Sequence, residues 1–265
     1  MSVRNLTELR DSCKGDLFIV ASGPSAREFP LQRYAHLPMM AVNGSIRLFT
    51  EAGVAPYFYL CDDSSFVRNR LPLLLEALAV AQNLALSPRV IDSLLEREPH
   101  ALDGRSVYHF QRVNRSAEDK VALGDRRFAW LARKDIDIEC QFSLFRQKPN
   151  RIGFSRNLGK GYFSNRTVPY AGVQLAHHLG FSRVFMVGLD LSSGAGRFYE
   201  QGSDAVPSRL DGDYEDYILP CFQLMSERVV GPHFKVYNLS AGSRLPGSIV
   251  PKIGYDELDR LLACS

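Results

Sequence analysis

Long apolar runs are scarce in this chain, and so are paired cysteines. The longest apolar stretch, near Leu71 to Leu86, is broken by Pro72, Glu76, Gln82 and Asn83; it reads as a core or lid helix and not as a membrane span. From Met1 to Glu8 there is no long apolar region, so no signal peptide is expected. The five cysteines (Cys13, Cys61, Cys140, Cys221, Cys264) are far apart and odd in number, with no CxxC and no Cys/His pair at metal-ligand spacing. They read as reduced thiols of a cytoplasmic protein. An excess of one charge is missing too. A net charge of +3 is too mild to argue for nucleic acid, though it suits an anionic substrate or a loose association with an acidic membrane surface. No Walker loop, GxGxxG, GxSxG or HExxH is present, which argues against kinase, dehydrogenase and hydrolase readings. Internal repeats and low-complexity segments are absent. What remains is 265 residues, 45% hydrophobic and 23% charged, enough for one large α/β domain or one domain with a small lobe.

Within that composition, short apolar runs stop at small or polar residues. Leu17–Ala21 stops at Ser22-Gly23-Pro24-Ser25, Met39–Val42 at Asn43-Gly44-Ser45, and Tyr57–Leu60 at Cys61-Asp62-Asp63-Ser64. Arg183–Leu189 stops at Asp190, and Phe234–Tyr237 at Asn238. A short N-terminal helix precedes them. Val173–Leu179 has a helical pattern closed by Gly180. This alternation predicts a doubly wound, mostly parallel, Rossmann-like α/β sheet. The stretch from about 103 to 163 is rich in Arg, Lys and Gln with scattered aromatics. It reads as a lid-like insertion folded over the strand ends of a single domain covering residues 1–265.

A doubly wound sheet gathers its strand ends at one edge, where ligands bind. Ser22, Asn43, Asp62, Asp190 and Asn238 are therefore expected to face one crevice. An Asn at a strand end donates and accepts at once, which suits a phosphate, a ribose or a sugar carboxylate; Asn-Gly is equally a common turn pair. Asp62-Asp63 lacks the spaced Asp-x-Asp arrangement, and helix capping accounts for it, so neither a metal nor a cofactor is expected. Arg166, just before a helix, has the fork that bonds both oxygens of a carboxylate or phosphate. Past Asp190, a Gly-rich loop carries Ser192, Arg197 and Tyr199; a Tyr hydroxyl beside a leaving phosphate would stabilise developing charge. The histidines form no catalytic pattern.

Phe18–Ser25, Ala41–Ser45, Asn165–Gln174, Val187–Leu191 and the tail Tyr237–Pro246 with Val250–Ile253 together resemble the WaaZ-type lipopolysaccharide core biosynthesis proteins. The likeness covers most of the chain. It implies a glycosyltransferase that adds a Kdo (3-deoxy-manno-octulosonic acid) residue from CMP-Kdo to the lipopolysaccharide inner core, working at the cytoplasmic face of the inner membrane. The order of blocks is also similar, more distantly, to bacterial CMP-sialic-acid-dependent sialyltransferases. That similarity implies donor contacts from Ser22, Gly23, Asn43, Gly188 and Asp190; Pro24 and Ser25 of the same turn, Asp62 at its strand end and Ser192 past Asp190 are donor-binding candidates by position. It implies catalytic roles for Arg166 and Tyr199. Those enzymes carry a catalytic His ahead of the next helix; Arg209–Tyr217 has none, so Asp213 or Asp216 is the candidate base. The alternatives are a transferase for another CMP-activated nonulosonic acid, sialic or pseudaminic, and a nucleotide-binding protein without transferase activity.

Overall fold

The computed structural model describes residues 2–116, 119–192, 196–199 and 210–263. In chain order its strands are β1 (Ser2–Arg4), β2 (Asp16–Val20), β3 (Met39–Val42), β4 (Phe58–Cys61), β5 (Asn83–Leu86), β6 (Ser106–His109), β7 (Ile138–Cys140), β8 (Gly153–Ser155), β9 (Arg183–Val187) and β10 (Lys235–Asn238). Its helices are α1 (Ile46–Ala52), α2 (Ser64–Val80), α3 (Pro88–Leu95), α4 (Asp125–Ala132), α5 (Val168–Leu179), α6 (Leu210–Asp213), α7 (Leu219–Arg228) and α8 (Tyr255–Ala263). Eight strands form one sheet in the order β1-β6-β5-β4-β3-β2-β9-β10, and every neighbouring pair is parallel. The doubly wound α/β reading is therefore correct.

Both faces of the sheet are covered, which is why its strands are continuous apolar runs. One core holds Ile19, Met40 and Leu60 against Val173 and Leu175 of α5 and Phe222 of α7. The other packs Phe18, Ala41 and Tyr59 against residues of α1, α2 and α3 such as Phe49, Leu74 and Val90. β2 is buried from end to end, and its first residue, Asp16, bonds Arg183 at the start of β9 (2.5 and 2.7 Å). From β2 the chain winds one way through β3 to β6; β9 and β10 add on the other side. The order thus reverses between β2 and β9, and a crevice opens there beyond the strand ends.

Two expectations need correction. The expected short N-terminal helix is present as one 3₁₀ turn, Leu6–Leu9, preceded by β1, which pairs with β6. The stretch Leu71–Leu86 is the end of α2, kinked where Arg70 leaves helical geometry before Pro72, and then the sheet strand β5. Ser106–His109, inside the expected insertion, is the sheet strand β6. The rest of that region does differ from the sheet. α4 and the antiparallel pair β7–β8 carry a small core of their own, with Ala129, Ala132, Ile138, Cys140 and Phe163. Cys13, Cys61, Cys140 and Cys221 are unpaired; Cys264 lies outside the described residues.

Candidate active site

A cavity of about 620 Å³ sits at the strand ends beside the β2/β9 reversal. Its floor is made of Ser22 and Gly23 after β2, Asn43 after β3, Asp62 after β4, and Gly188 and Asp190 after β9. Ser192 lies farther along the same wall. Four of the five expected strand ends thus converge. Asn238 does not: it is fully buried at the far strand β10, and its Oδ1 accepts from Ser240 N (3.0 Å).

The floor is held by its own side chains. Asp190 accepts from Ser25 N (2.9 Å, at Oδ2) and from Ser25 Oγ (2.6 Å, at Oδ1). Ser25 Oγ lies 2.8 Å from Ser240 Oγ, which accepts from Leu189 N (3.0 Å). The donors of the Gly-Pro-Ser turn are therefore engaged internally, those of Ser25 by Asp190 and the Gly23 N–H by the Gly188 carbonyl oxygen (3.0 Å). Ser25 and Pro24 stand behind the cavity, and Gly23 faces it. Gly23 has no substitute there: a Cβ would come within 2.3 Å of Asp190 Oδ2 and 2.6 Å of the Gly188 carbonyl oxygen. Asp63 caps α2, its Oδ1 accepting from Ser65 N (2.8 Å), while Asp62 receives Arg112 through Nη2 (2.7 Å) and Nε (3.0 Å). Among the described residues no group of three or more His, Cys, Asp or Glu side chains is gathered around a possible metal position.

The roof supplies the positive charge. Arg112, Arg115 and Arg151 line the cavity from the region after β6, and Arg166 and Arg197 join them. Arg151 pairs with Asp125 (2.7 Å), and Arg166 with Asp213 (3.8 Å) while lying 5.5 Å from the Tyr217 ring. Arg166 is 54% exposed at its side chain and has a left-handed backbone, φ 60°, where a non-glycine residue is strained. Asn43 shares that region, at φ 49°, a conformation that Asn tolerates. Two wall atoms, Asn43 Oδ1 and Asn165 Nδ2, are buried with no hydrogen-bond partner among the described residues. Buried polar atoms are nearly always paired, so water or a ligand in the cavity is the natural partner for both. Burial pushes the Tyr162 phenol well above its ordinary range, so this wall residue stays neutral.

The remaining candidates separate. Asp213 lines the cavity; Asp216 does not, and its carboxylate receives Lys148 Nζ (2.5 Å). Tyr199 is not a lining residue: its ring lies over Gly44, next to Asn43, and makes an edge contact with Phe66 (6.4 Å). Part of the Gly-rich loop, residues 193–195 and 200, and Arg209 of the base-bearing stretch lie outside the described residues. Arg112, Arg115, Arg151 and Asn165 were not singled out from sequence. The Arg-rich composition of 103–163 was the available signal, but it gave no reason to choose among its arginines.

An all-parallel α/β sheet with an arginine-walled crevice at its switch point defines an α/β protein with a site suited to an anionic ligand. The fold is similar to a solved structure of the MAf glycosyltransferase from Magnetospirillum magneticum AMB-1 (TM-score 0.50, 16% identity, 96% of this chain and 38% of that one). The chain belongs to the family described as "3-deoxy-D-manno-octulosonic acid transferase WaaZ", which matches residues 1–256. Two curated relatives carry the name "Probable 3-deoxy-manno-octulosonic acid transferase". One is from Escherichia coli (strain K12), 27% identical over 260 residues, 97% of this chain and 88% of that protein. The other is from Salmonella typhimurium (strain LT2), 28% identical over 249 residues, 92% of this chain and 88% of that protein. The chain is accordingly a Kdo-adding glycosyltransferase of lipopolysaccharide biosynthesis, with a nucleotide-sugar donor and a lipopolysaccharide acceptor. Among the described residues no helix is long and apolar enough to cross a membrane.

Proposed function

We propose that the crevice binds CMP-Kdo and that the acceptor hydroxyl belongs to the lipopolysaccharide inner core, presented at the cytoplasmic face of the inner membrane. The observation that carries this reading is the cavity's pairing of unpartnered wall amide atoms with an arginine roof. Asn43 and Asn165 offer unmet hydrogen-bonding atoms to the nucleotide or sugar, and the arginines match its phosphate and the Kdo carboxylate.

In this reading the bond from the anomeric carbon to the CMP phosphate oxygen breaks with oxocarbenium character, its electron pair leaving with CMP. Arg166 neutralises the charge that develops on the phosphate. The acceptor oxygen bonds to the anomeric carbon, and its proton passes to Asp213, which already sits on Arg166 at the cavity wall. Asp216, engaged by Lys148 away from the cavity, is not assigned this step. Tyr199 acts from behind, backing the Asn43-Gly44 turn with its ring.

Thermal unfolding with CMP, CDP, UMP or ADP tests the nucleotide, and product analysis with CMP-Kdo or CMP-sialic acid on core oligosaccharide tests the sugar. The expected result is selective stabilisation by CMP and transfer from CMP-Kdo alone. Equal response to all four nucleotides, or transfer only from CMP-sialic acid, would overturn the assignment.

A further inference from the structure

Six of the nine exposed large apolar side chains among the described residues fall between positions 121 and 145. Phe145 is 91% exposed, Ile136 89%, Leu144 64% and Trp130 50%, an unusual concentration for one short stretch. The same stretch is cationic. Arg126, Arg127, Arg133, Lys134 and Arg146 are all exposed, and none pairs with a carboxylate among the described residues. Its acids are spoken for by cations from elsewhere: Asp135 by Lys160 (2.6 Å), Asp137 by Arg10 (2.9 Å) and Glu139 by Arg156 (3.1 Å).

Helix periodicity sorts α4 into two faces. Asp125, Phe128, Ala129 and Ala132 turn inward, the first two onto the donor cavity and the alanines into the small roof core. Arg126, Arg127, Trp130 and Leu131 turn outward, and Lys134 Nζ lies 5.0 Å from the Trp130 ring centroid. The exposed tip Leu144-Phe145 belongs to the same region. Its flanking residues Ser143 and Arg146 share a groove of about 640 Å³ with Arg133, which ends α4 and lies 5.3 Å from the Phe142 ring.

We propose that this outer face of the roof is the surface on which the protein seats itself on an anionic lipid bilayer. Trp130, Leu131, Leu144 and Phe145 enter the interfacial layer, and the five unpaired cations meet lipid phosphates. Charge decides the occupant. A second copy would bring a like-charged face against this one. An anionic headgroup layer accepts both the apolar tips and the cations. The seat would place the cavity, lined by the inner face of α4, about one helix diameter, ~10 Å, from the lipid surface. This deepens the acceptor reading above by naming the surface that faces the membrane, and only that consequence rests on it.

Co-sedimentation with vesicles of phosphatidylcholine alone, or of phosphatidylcholine with one quarter phosphatidylglycerol, tests it with no donor, acceptor or turnover. The wild-type chain should partition at least tenfold better onto the anionic vesicles, and 0.5 M NaCl should reduce that binding. The double variants Leu144→Ser/Phe145→Ser and Arg126→Glu/Arg127→Glu should each lose tenfold or more while their unfolding temperature and CMP response stay unchanged. Wild type that ignores anionic vesicles, or variants that bind as well as wild type, would overturn the proposal. So would a wild-type dimer that Leu144→Ser/Phe145→Ser converts to monomer without any vesicle binding. The CMP response is read separately, so failure of the membrane seat and failure of the donor reading are distinct results.

Discussion

The floor and the roof of the cavity are built with different chemistry. The floor is the end of a buried parallel sheet, and around β2 and β9 its polar side chains serve one another: Asp190 holds Ser25, and Gly23 lets the two strand ends touch. The roof has a small core and one antiparallel strand pair, and it presents arginines that are partly exposed and held by single carboxylates. Exposed ion pairs of this kind stabilise by only about 0–1 kcal/mol. In the proposed reading, Arg151 or Arg166 exchanges its carboxylate for the donor phosphate at little cost, whereas the floor cannot rearrange without losing buried hydrogen bonds. The floor is a template and the roof is the set of responsive charges.

The largest effect should come where the two regions meet. Arg112 from the roof neutralises the buried Asp62 of the floor, whose side chain is only 7% exposed. Arg112→Ala leaves that carboxylate unpaired and should cost about 3–5 kcal/mol in urea unfolding. The double variant Arg112→Met/Asp62→Asn should recover most of the loss; no recovery would mean the floor does not depend on this pair. Next comes a contrast within the roof. Arg166→Ala should lower transfer about a hundredfold, near 2.7 kcal/mol in the barrier, with little change in stability. Asp213→Asn should follow it, while Asp216→Asn should stay within about twofold, since its partner is Lys148. Equal losses from both acids would erase the distinction between lining and non-lining residues.

The smallest effect is acid sensitivity of the floor's support. His177 of α5 is packed against Phe154 and Phe234 (centroids 5.7 and 4.8 Å away), and burial pushes its imidazole down to about 4. A histidine whose folded value lies below its unfolded one contributes stability that is whole above pH ~6.5 and declines as pH falls toward 4. The loss at pH 5 should be about 2 kcal/mol. His177→Phe should reduce this slope, leaving the part due to His178, whose imidazole burial also pushes down. Asp137→Asn should not, because the hydrogen bond from Lys160 holds the Asp137 carboxyl below its ordinary range, where it stays ionised throughout that window. A slope as steep in His177→Phe as in the wild type would place the acid-sensitive group elsewhere.

Most of the floor was legible in sequence because its signals are local. An apolar run stopped by Ser22-Gly23-Pro24 or Asn43-Gly44 is a strand and turn whatever else the chain does. β5 was hidden because Asn83–Leu86 follows the apolar α2 with only Ala81 and Gln82 between them, and short apolar runs do not reveal their period. β1 and β6 are short edge-side strands whose pairing with each other spans a hundred residues. The roof was less legible: an Arg-rich, irregular stretch marks an excursion, but its composition does not say which arginines face inward.

By itself, the sequence determined the parallel sheet, the set of strand ends and the family likeness, because hydrophobic period, glycine geometry and contiguous blocks act over a few residues. Tertiary structure alone decided which of those ends are open to a ligand. Asp190 reaches Ser25 across 165 positions, Arg112 reaches Asp62 across 50, and Lys148 draws Asp216 away from the cavity across 68. Which charge pairs with which depends on distance in space, and chain spacing carries no record of that distance until the sheet has brought the segments together.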